Sequence, residues 1–150
     1  MDVSIDFLLS ETRLFKNLLP EEAQVICEKL KATDRTAGTI LCEEGNHAKS
    51  VWFVASGELE ILKKGATGEL TPVATIKRGG TVGDMGIVEG LLRSATIRAR
   101  TDVTIVIFDR EHFEEIMATH PAIGCKILLE IARNLSASLR KTTSDISALS

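Results

Sequence analysis

Apolar and polar positions along the chain change period twice, which predicts three structural regions. Near the N-terminus, apolar residues recur at helical spacing and predict a short helix over residues 6–16. A second helix is expected to begin at Pro20, since proline at the first helical position loses no hydrogen bond. The two glutamates that follow it favour the positive end of a helix. We expect this helical region to reach about residue 32.

Between about residues 36 and 109 the pattern consists of short runs rich in β-branched residues. Glycine turns separate these runs, and ten of the eleven glycines lie in this region. Short strands at regular spacing with glycine turns are typical of an antiparallel sandwich or barrel. The strands predicted in this way are residues 39–42, 51–55, 58–63, 73–76, 95–101 and 103–108.

After Asp109 the helical period returns. We expect Asp109 to cap a helix over residues 110–118 and Pro121 to open a longer helix that reaches about residue 142. The apolar residues of this helix recur every four positions, and its serine-rich end is expected to fray. Those apolar residues are Ile123, Ile127, Ile131 and Leu135. The pattern therefore predicts a single α+β domain over residues 1–150, mainly β, with helices at both ends.

Composition and charge exclude several classes of protein. The 150 residues are 44% hydrophobic and 26% charged, which suits one soluble domain with a real core. A formal net charge of −3 argues against direct binding to nucleic acid. No apolar run approaches the roughly 18 residues of a membrane span. The acidic N-terminus lacks the basic region of a secretory signal, so a cytoplasmic location is expected.

The cysteine pattern points away from metal, disulfide and redox chemistry. Cys27, Cys42 and Cys125 are far apart, have apolar neighbours, and show no CxxC or Cys/His spacing. We expect three buried free thiols in a reducing compartment, and no metal site. No activated nucleophile or acid–base pair is evident either, so an enzyme is not expected.

One run of sixteen residues carries the chemistry of anion capture: VGDMGIVEGLLRSATI, residues 82–97. Glycines let a backbone turn approach an anion, and amide N–H groups at the start of a helical turn point toward it. Arg93 follows Gly83 by ten residues, and its fork of N–H donors can supply the countercharge. The run therefore predicts a site for one phosphate group.

This run resembles the phosphate-binding cassette of cyclic nucleotide-binding domains. The family pattern is roughly F-G-E-L/M-A-L, a short spacer, and P-R-A/S-A-T-V, and the spacing here agrees without a gap. Residues 51–61, VWFVASGELEI, also resemble the family's V-x-F-V-x-x-G-x-L-x-I hairpin. The resemblance implies an antiparallel β-roll of jelly-roll type, flanked by N-terminal helices and two C-terminal helices. It also implies a regulatory module with no cofactor beyond its ligand.

The resemblance implies a role for each residue of the cassette. Gly83, Met85 and Gly86 would contribute backbone amides, and Arg93 would supply the countercharge. The hydroxyl of Ser94 would donate to the same phosphate, and Ala95 would also belong to the ligand-binding site. Asp84 replaces the family's usual glutamate, which accepts a hydrogen bond from the ribose 2′-hydroxyl. Asp84 is shorter by one methylene, so the ribose sits closer, a water bridges, or affinity falls; otherwise Asp84 only caps the turn. Leu92 replaces the usual proline, which leaves the loop before Arg93 less preorganised.

The long C-terminal helix carries the lid in this family. Alignment to the catabolite-regulator branch places Leu135 against the base and Ser138 at the adenine amino group. For Leu135 a position in the core is the competing interpretation, and for Ser138 simple exposure.

Ser94 favours cAMP slightly over cGMP, because cGMP binders of the family often carry threonine there. Related bacterial regulators dimerise through this helix, which implies a weak homodimer.

The leading functional prediction is a signalling module that binds a 3′,5′-cyclic mononucleotide, with cAMP favoured over cGMP. A second hypothesis is a protein-interaction domain whose cassette has lost ligand affinity, and the substitutions at Asp84 and Leu92 are its support. A third is a cassette retuned to a cyclic dinucleotide. The sequence does not identify the output partner.

Overall fold

The protein is described here by a computed structural model, which covers residues 3–83, 87–88 and 93–149. The helices within these ranges are α1 (Ile5–Glu11), α2 (Pro20–Cys27), α3 (Arg110–Thr119) and α4 (Pro121–Leu149). The strands are β1 (Leu30–Arg35), β2 (Ile40–Cys42), β3 (Ser50–Ser56), β4 (Leu59–Lys64), β5 (Leu70–Ile76), β6 (Thr81–Val82), β7 (Thr96–Ala99) and β8 (Val103–Asp109). None of the helices in this part of the chain combines the length and apolarity needed to cross a bilayer.

The strands form two antiparallel sheets of four strands each. The first has the order β1-β8-β3-β6 and the second the order β2-β7-β4-β5. Side chains of β3 alternate between two apolar clusters, as the period of a strand requires. Val51 and Phe53 pack with the helices, whereas Trp52 and Val54 pack in the cluster between the two sheets. The prediction of an antiparallel β-roll flanked by helices is confirmed.

A cluster of aromatic rings joins the N-terminal segment to the first sheet and to α3. The Phe15 ring lies 5.1 Å from that of Phe53 and 5.8 Å from that of Phe108. Phe108 in turn meets Phe113 of α3 edge to face at 6.1 Å. Such tilted and edge-to-face pairs are the favoured arrangements of aromatic side chains. The helices at both ends of the chain are therefore held on one face of one sheet.

Two predicted boundaries near the N-terminus are wrong. Helix α1 ends at Glu11 rather than at residue 16, because Thr12 is extended and its buried hydroxyl donates to the Leu8 carbonyl at 2.6 Å. The helical region also stops before residue 32, since residues 30–35 form β1. This strand pairs along its whole length with β8, and Leu30 lies opposite Phe108. The roll therefore begins six residues earlier than the pattern of local runs indicates.

The C-terminal helices begin where they were predicted, but their details differ. Asp109 stands at the start of α3 without a capping hydrogen bond, and its carboxylate lies 3.5 Å from Lys31 Nζ instead. Helix α4 continues to Leu149 rather than ending near residue 142. Its first three apolar positions are buried, but Leu135 is 49% exposed.

The free cysteines differ in exposure. Cys42 is buried, Cys27 is partly buried and Cys125 is exposed, so the expectation of three buried thiols is wrong at Cys125. That residue lies on the outer face of α4, whose core-facing side includes Ile123, Ile127 and Ile131.

Candidate functional site

The backbone of Arg93 is fixed to the turn that follows β2. The Arg93 N–H donates to the Asn46 carbonyl at 2.6 Å, and the Arg93 carbonyl accepts from the Gly45 N–H at 2.9 Å. Nearby, the Thr96 hydroxyl accepts from the Glu44 N–H at 3.1 Å. The chain from Arg93 to Thr96 is thus hydrogen-bonded to the turn after β2, which fixes the backbone position of Arg93.

The Arg93 side chain is buried within the roll and is only 8% exposed. Its Nη2 donates to the Ser50 carbonyl at 2.8 Å, and its Cζ lies 4.7 Å from the centroid of the Trp52 ring. Burial lowers the pKa of Arg93 from its usual value, but arginine remains protonated in proteins. No carboxylate within residues 3–83, 87–88 or 93–149 forms an ion pair with it. The site therefore holds a buried positive charge that suits an anionic ligand.

Gly83 lies against the guanidinium of Arg93. Its φ is +79°, a conformation that glycine adopts readily and other residues rarely do. A Cβ at this position would lie 1.7 Å from Arg93 Nη1. Glycine is therefore required twice here, once for the backbone turn and once for the space that the arginine occupies.

Cys42 is a neighbour of Arg93 that the sequence analysis did not place in the site. Burial raises the pKa of the Cys42 thiol, and the positive charge of Arg93 offsets part of that rise. The thiol is therefore protonated at neutral pH, and Cys42 packs as a small hydrophobic side chain beside Arg93. Ser50 and Trp52 were also missed as neighbours of Arg93. The sequence feature that could have revealed Trp52 is the alternation of side chains along β3, which turns Trp52 to the inner face of the roll.

The centre of the cassette is only partly described. Ile87 and Val88 are helical, and Ile87 is buried in the cluster that also contains Ile127 and Ile131 of α4. Asp84, Met85 and Gly86 lie outside the described residues, as does Leu92. Their roles in binding phosphate and ribose remain predictions. Ile87 therefore places part of the cassette in the same apolar core as α4.

The residues after Arg93 divide between solvent and core. Ser94 is exposed, and its carbonyl accepts a hydrogen bond from Lys63 Nζ of β4. Lys63 also lies 3.3 Å from the Glu44 carboxylate. Ala95 is buried at 8% exposure. Ser94 is therefore exposed next to the buried Arg93, and donation from its hydroxyl to a phosphate remains a prediction.

The two predicted lid residues are not brought to the anion site in this conformation. Leu135 is 49% exposed and Ser138 is exposed on α4, beyond the last buried isoleucine of that helix. Among the described contacts, no hydrogen bond or ion pair joins either residue to Arg93. Leu135 is not a core residue, so that competing interpretation is wrong. The role of both residues as a lid remains a prediction.

Glu130 is a buried charge that the sequence analysis did not identify. It is 2% exposed on α4, and its Oε1 accepts from Asn17 Nδ2 and from Arg133 Nη1, each at 2.5 Å. Lys16 Nζ lies 3.9 Å from the other carboxylate oxygen. Glu130 therefore anchors α4 to the segment between α1 and α2, next to Ile131, where the helix leaves the body.

Comparison with known proteins agrees with this geometry. The family model of the cyclic nucleotide-binding domain matches residues 34–120, more than half of the chain. A cAMP-dependent protein kinase regulatory subunit from Aspergillus niger is 31% identical over 109 residues, which cover 73% of this chain and 26% of that protein. Lysophospholipase NTE1 from Chaetomium globosum is 28% identical over 130 residues, covering 87% of this chain and 8% of that protein.

The fold is also found among solved structures. A cyclic nucleotide-binding domain from Methylobacillus flagellatus superposes with a TM-score of 0.83 at 20% identity, covering 97% of this chain and 84% of that one. The chain spans about a quarter of the regulatory subunit and less than a tenth of the lysophospholipase. The common element of these proteins is therefore the domain described here.

Proposed function

We propose that this chain, which belongs to the cyclic nucleotide-binding domain family, is a regulatory module that binds a 3′,5′-cyclic mononucleotide, with cAMP favoured over cGMP. The observation that carries the proposal is the buried guanidinium of Arg93. Ser50 accepts one of the five N–H donors of an arginine, and Trp52 covers one face. The other donors suit the oxygens of a phosphate, which arginine binds through charge-assisted hydrogen bonds.

The charge of the site favours a mononucleotide over a cyclic dinucleotide. A cyclic phosphodiester carries one negative charge, and a cyclic dinucleotide carries two. Arg93 is the single buried cation in the described part of the chain. Lys63 lies nearby at Ser94 but is exposed and already pairs with Glu44. One desolvated arginine matches one phosphate charge.

Regulation would pass from the cassette to α4 through the shared core. Ile87 of the cassette packs in one cluster with Ile127 and Ile131 of α4. A ligand that binds more tightly to one position of the cassette shifts the population toward the matching position of the helix. In that state Leu135 would cover the base and Ser138 would face the adenine amino group. The domain itself is regulatory rather than catalytic.

Helix α4 also offers a surface for a weak homodimer. Three of its apolar side chains, Leu135, Leu139 and Ile146, are 49%, 65% and 62% exposed. Their spacings of four and seven residues place them along one face of the helix, as in a coiled-coil seam. We propose that a second copy of the helix packs there, in a cytoplasmic protein whose output partner the sequence does not identify.

Calorimetric titration of the purified protein with cAMP, cGMP and cyclic di-GMP tests the proposal. We expect the strongest binding with cAMP, weaker binding with cGMP and none with cyclic di-GMP. The 2′-deoxy analogue of cAMP should bind less tightly if Asp84 reads the ribose hydroxyl. A flat trace with all three nucleotides contradicts the proposal and favours the interaction-domain hypothesis. Strongest binding of cyclic di-GMP favours the retuned cassette.

A further inference from the structure

We propose that Trp52 is a positioning residue of the anion site, whose indole face holds the Arg93 guanidinium in the orientation that receives a phosphate. The inference rests on the proposed function, because it assigns a side chain to the same site. Trp52 lies on β3, thirty positions before the cassette begins at Val82. It belongs to the hairpin rather than to the phosphate-binding run.

Three described groups orient the guanidinium. The Ser50 carbonyl accepts from Nη2 at 2.8 Å, the turn at Gly83 lies against Nη1, and the indole of Trp52 lies 4.7 Å from Cζ. The first two groups are main chain, so no substitution removes them cleanly. The indole is the side-chain contact among the three. It is also the one that can be changed without altering the backbone.

The indole is itself held in place. The indole Nε1–H donates to the Ser50 hydroxyl at 2.9 Å. The Trp52 backbone lies between two paired strands, opposite Val82 on one side and Ile107 on the other. Ser50 thus acts twice, since its hydroxyl fixes the indole and its carbonyl fixes the guanidinium. A fixed ring spares the long arginine side chain much of the entropy that it would otherwise lose on ligand binding.

The alternative is that Trp52 only fills space between the sheets. Arg78 makes the same two kinds of contact as Arg93 and can be compared with it. Its Cζ lies 5.5 Å from the Phe7 ring, and its Nη1 donates to the Ala55 carbonyl at 2.9 Å. The Arg78 side chain is 57% exposed, however, and lies 3.5 Å from the Glu11 carboxylate. Arg93 is buried without such a partner in the described ranges. A cation over an aromatic face is favoured most where it is desolvated, and indole is the best of the rings.

The first arm of the test needs no ligand. Trp52 is the sole tryptophan of the chain, so its emission and its near-ultraviolet circular dichroism report on one environment. We expect Arg93→Leu to change both signals and the matched variant Arg78→Leu to leave both unchanged. Identical spectra for wild type and a folded Arg93→Leu variant would overturn the stacked arrangement.

The second arm measures cAMP affinity by calorimetry. Trp52→Leu should weaken binding about tenfold, and Trp52→Phe should recover most of the loss because it restores an aromatic face. The loss should be the same for cAMP and cGMP, since the arginine meets the phosphate rather than the base. If Trp52→Leu unfolds, Ser50→Ala provides the second variant, because it frees the indole and should weaken binding about threefold.

The outcomes separate the inference from the proposed function. Wild-type affinity in both Trp52→Leu and Ser50→Ala overturns the positioning role and leaves the binding function intact. Absence of cAMP binding in the wild type overturns the proposed function. In that case the ligand-free spectra still decide whether Trp52 holds Arg93.

Discussion

Gly83 and Arg93 occupy adjoining space so closely that a Cβ on the glycine would lie 1.7 Å from Arg93 Nη1. The turn at Gly83 and the countercharge of the site are therefore one unit, although they lie ten positions apart in the sequence. The space for the guanidinium exists because residue 83 has no side chain.

Gly83→Ala should therefore affect ligand binding and stability together. The positive φ costs about 1–2 kcal/mol for alanine, and the clash forces the guanidinium away from its position. Gly68→Ala is the matched control, since Gly68 has φ +88° and nothing within 4 Å of the added Cβ. We expect both variants to lose a few degrees of Tm, and only Gly83→Ala to lose cAMP affinity in calorimetry. Equal affinities in the two variants would contradict the coupling.

Arg93→Leu should abolish most ligand binding while the fold persists. The structure buries this side chain beside the Ser50 carbonyl and the Trp52 ring. Loss of a desolvated, hydrogen-bonded charge partner costs the ligand roughly 2–5 kcal/mol. Thermal unfolding and cAMP calorimetry on Arg93→Leu and Arg78→Leu give the comparison. Comparable affinities for the two variants would remove Arg93 from the phosphate site.

Glu130→Ala should destabilise the protein. Its carboxylate accepts from Asn17 and Arg133 while only 2% exposed. Removing it leaves the Asn17 amide without its acceptor, which costs about 1–3 kcal/mol. Glu114→Ala is the control, because the Glu114 side chain is 63% exposed and its pair with Arg110 is worth about 0.5 kcal/mol or less. Urea unfolding should show a loss in the first variant only, and a neutral Glu130→Ala would contradict the anchoring role.

Glu22 should contribute stability that depends on pH. The Leu19 N–H, at 2.8 Å, and Lys126 Nζ, at 2.6 Å, hold the pKa of Glu22 below its ordinary value. A depressed carboxylate pKa stabilises the fold above the unfolded pKa of about 4.3, and the contribution disappears as pH falls through the folded pKa. Glu22→Gln should therefore lower Tm at pH 7 and match wild type in strong acid. Glu21→Gln removes the same charge at the exposed neighbouring position of the same helix turn and should lower Tm at pH 7 by less.

The proposed dimer predicts a concentration-dependent sedimentation coefficient. Leu139→Glu, at a residue 65% exposed on α4, should make the protein monomeric at all concentrations. Val73→Glu adds the same charge at a residue 57% exposed on β5 and should leave association unchanged. A wild type that stays monomeric up to high concentration rules out the helix dimer.

The features that the sequence predicts well are those that depend on nearby residues. Pro20 and Pro121 begin helices because proline fixes its own φ, and the alternation along β3 places Trp52 and Phe53 on opposite faces. The short run from Gly83 to Arg93 likewise predicts that the two residues lie together, as they do, whereas their shared role in phosphate binding stays a prediction.

The features that it misses depend on distant residues. Leu30 joins a strand because Phe108 lies opposite, and Glu130 is acceptable in the interior because Asn17 reaches it from the other end of the chain. Helical spacing around Leu30 outweighs its strand character when only local residues are considered. The contact of Arg93 with Trp52 is of the same kind, because it requires the two sheets to close on each other.

If α4 moves with the cassette, its length would make it a lever about Glu130, the last buried polar anchor of the helix in the described residues. Past the buried Ile131, residues 132–149 add about 27 Å of helix at 1.5 Å per residue. A rotation of about 10° at the pivot would carry the far tip through roughly 5 Å, a full helical turn's rise. Displacements at Ile87 too small to reshape the pocket would thus be magnified along the helix. Removing two turns from its end would shorten the lever arm, and the travel of the tip, by about 40%.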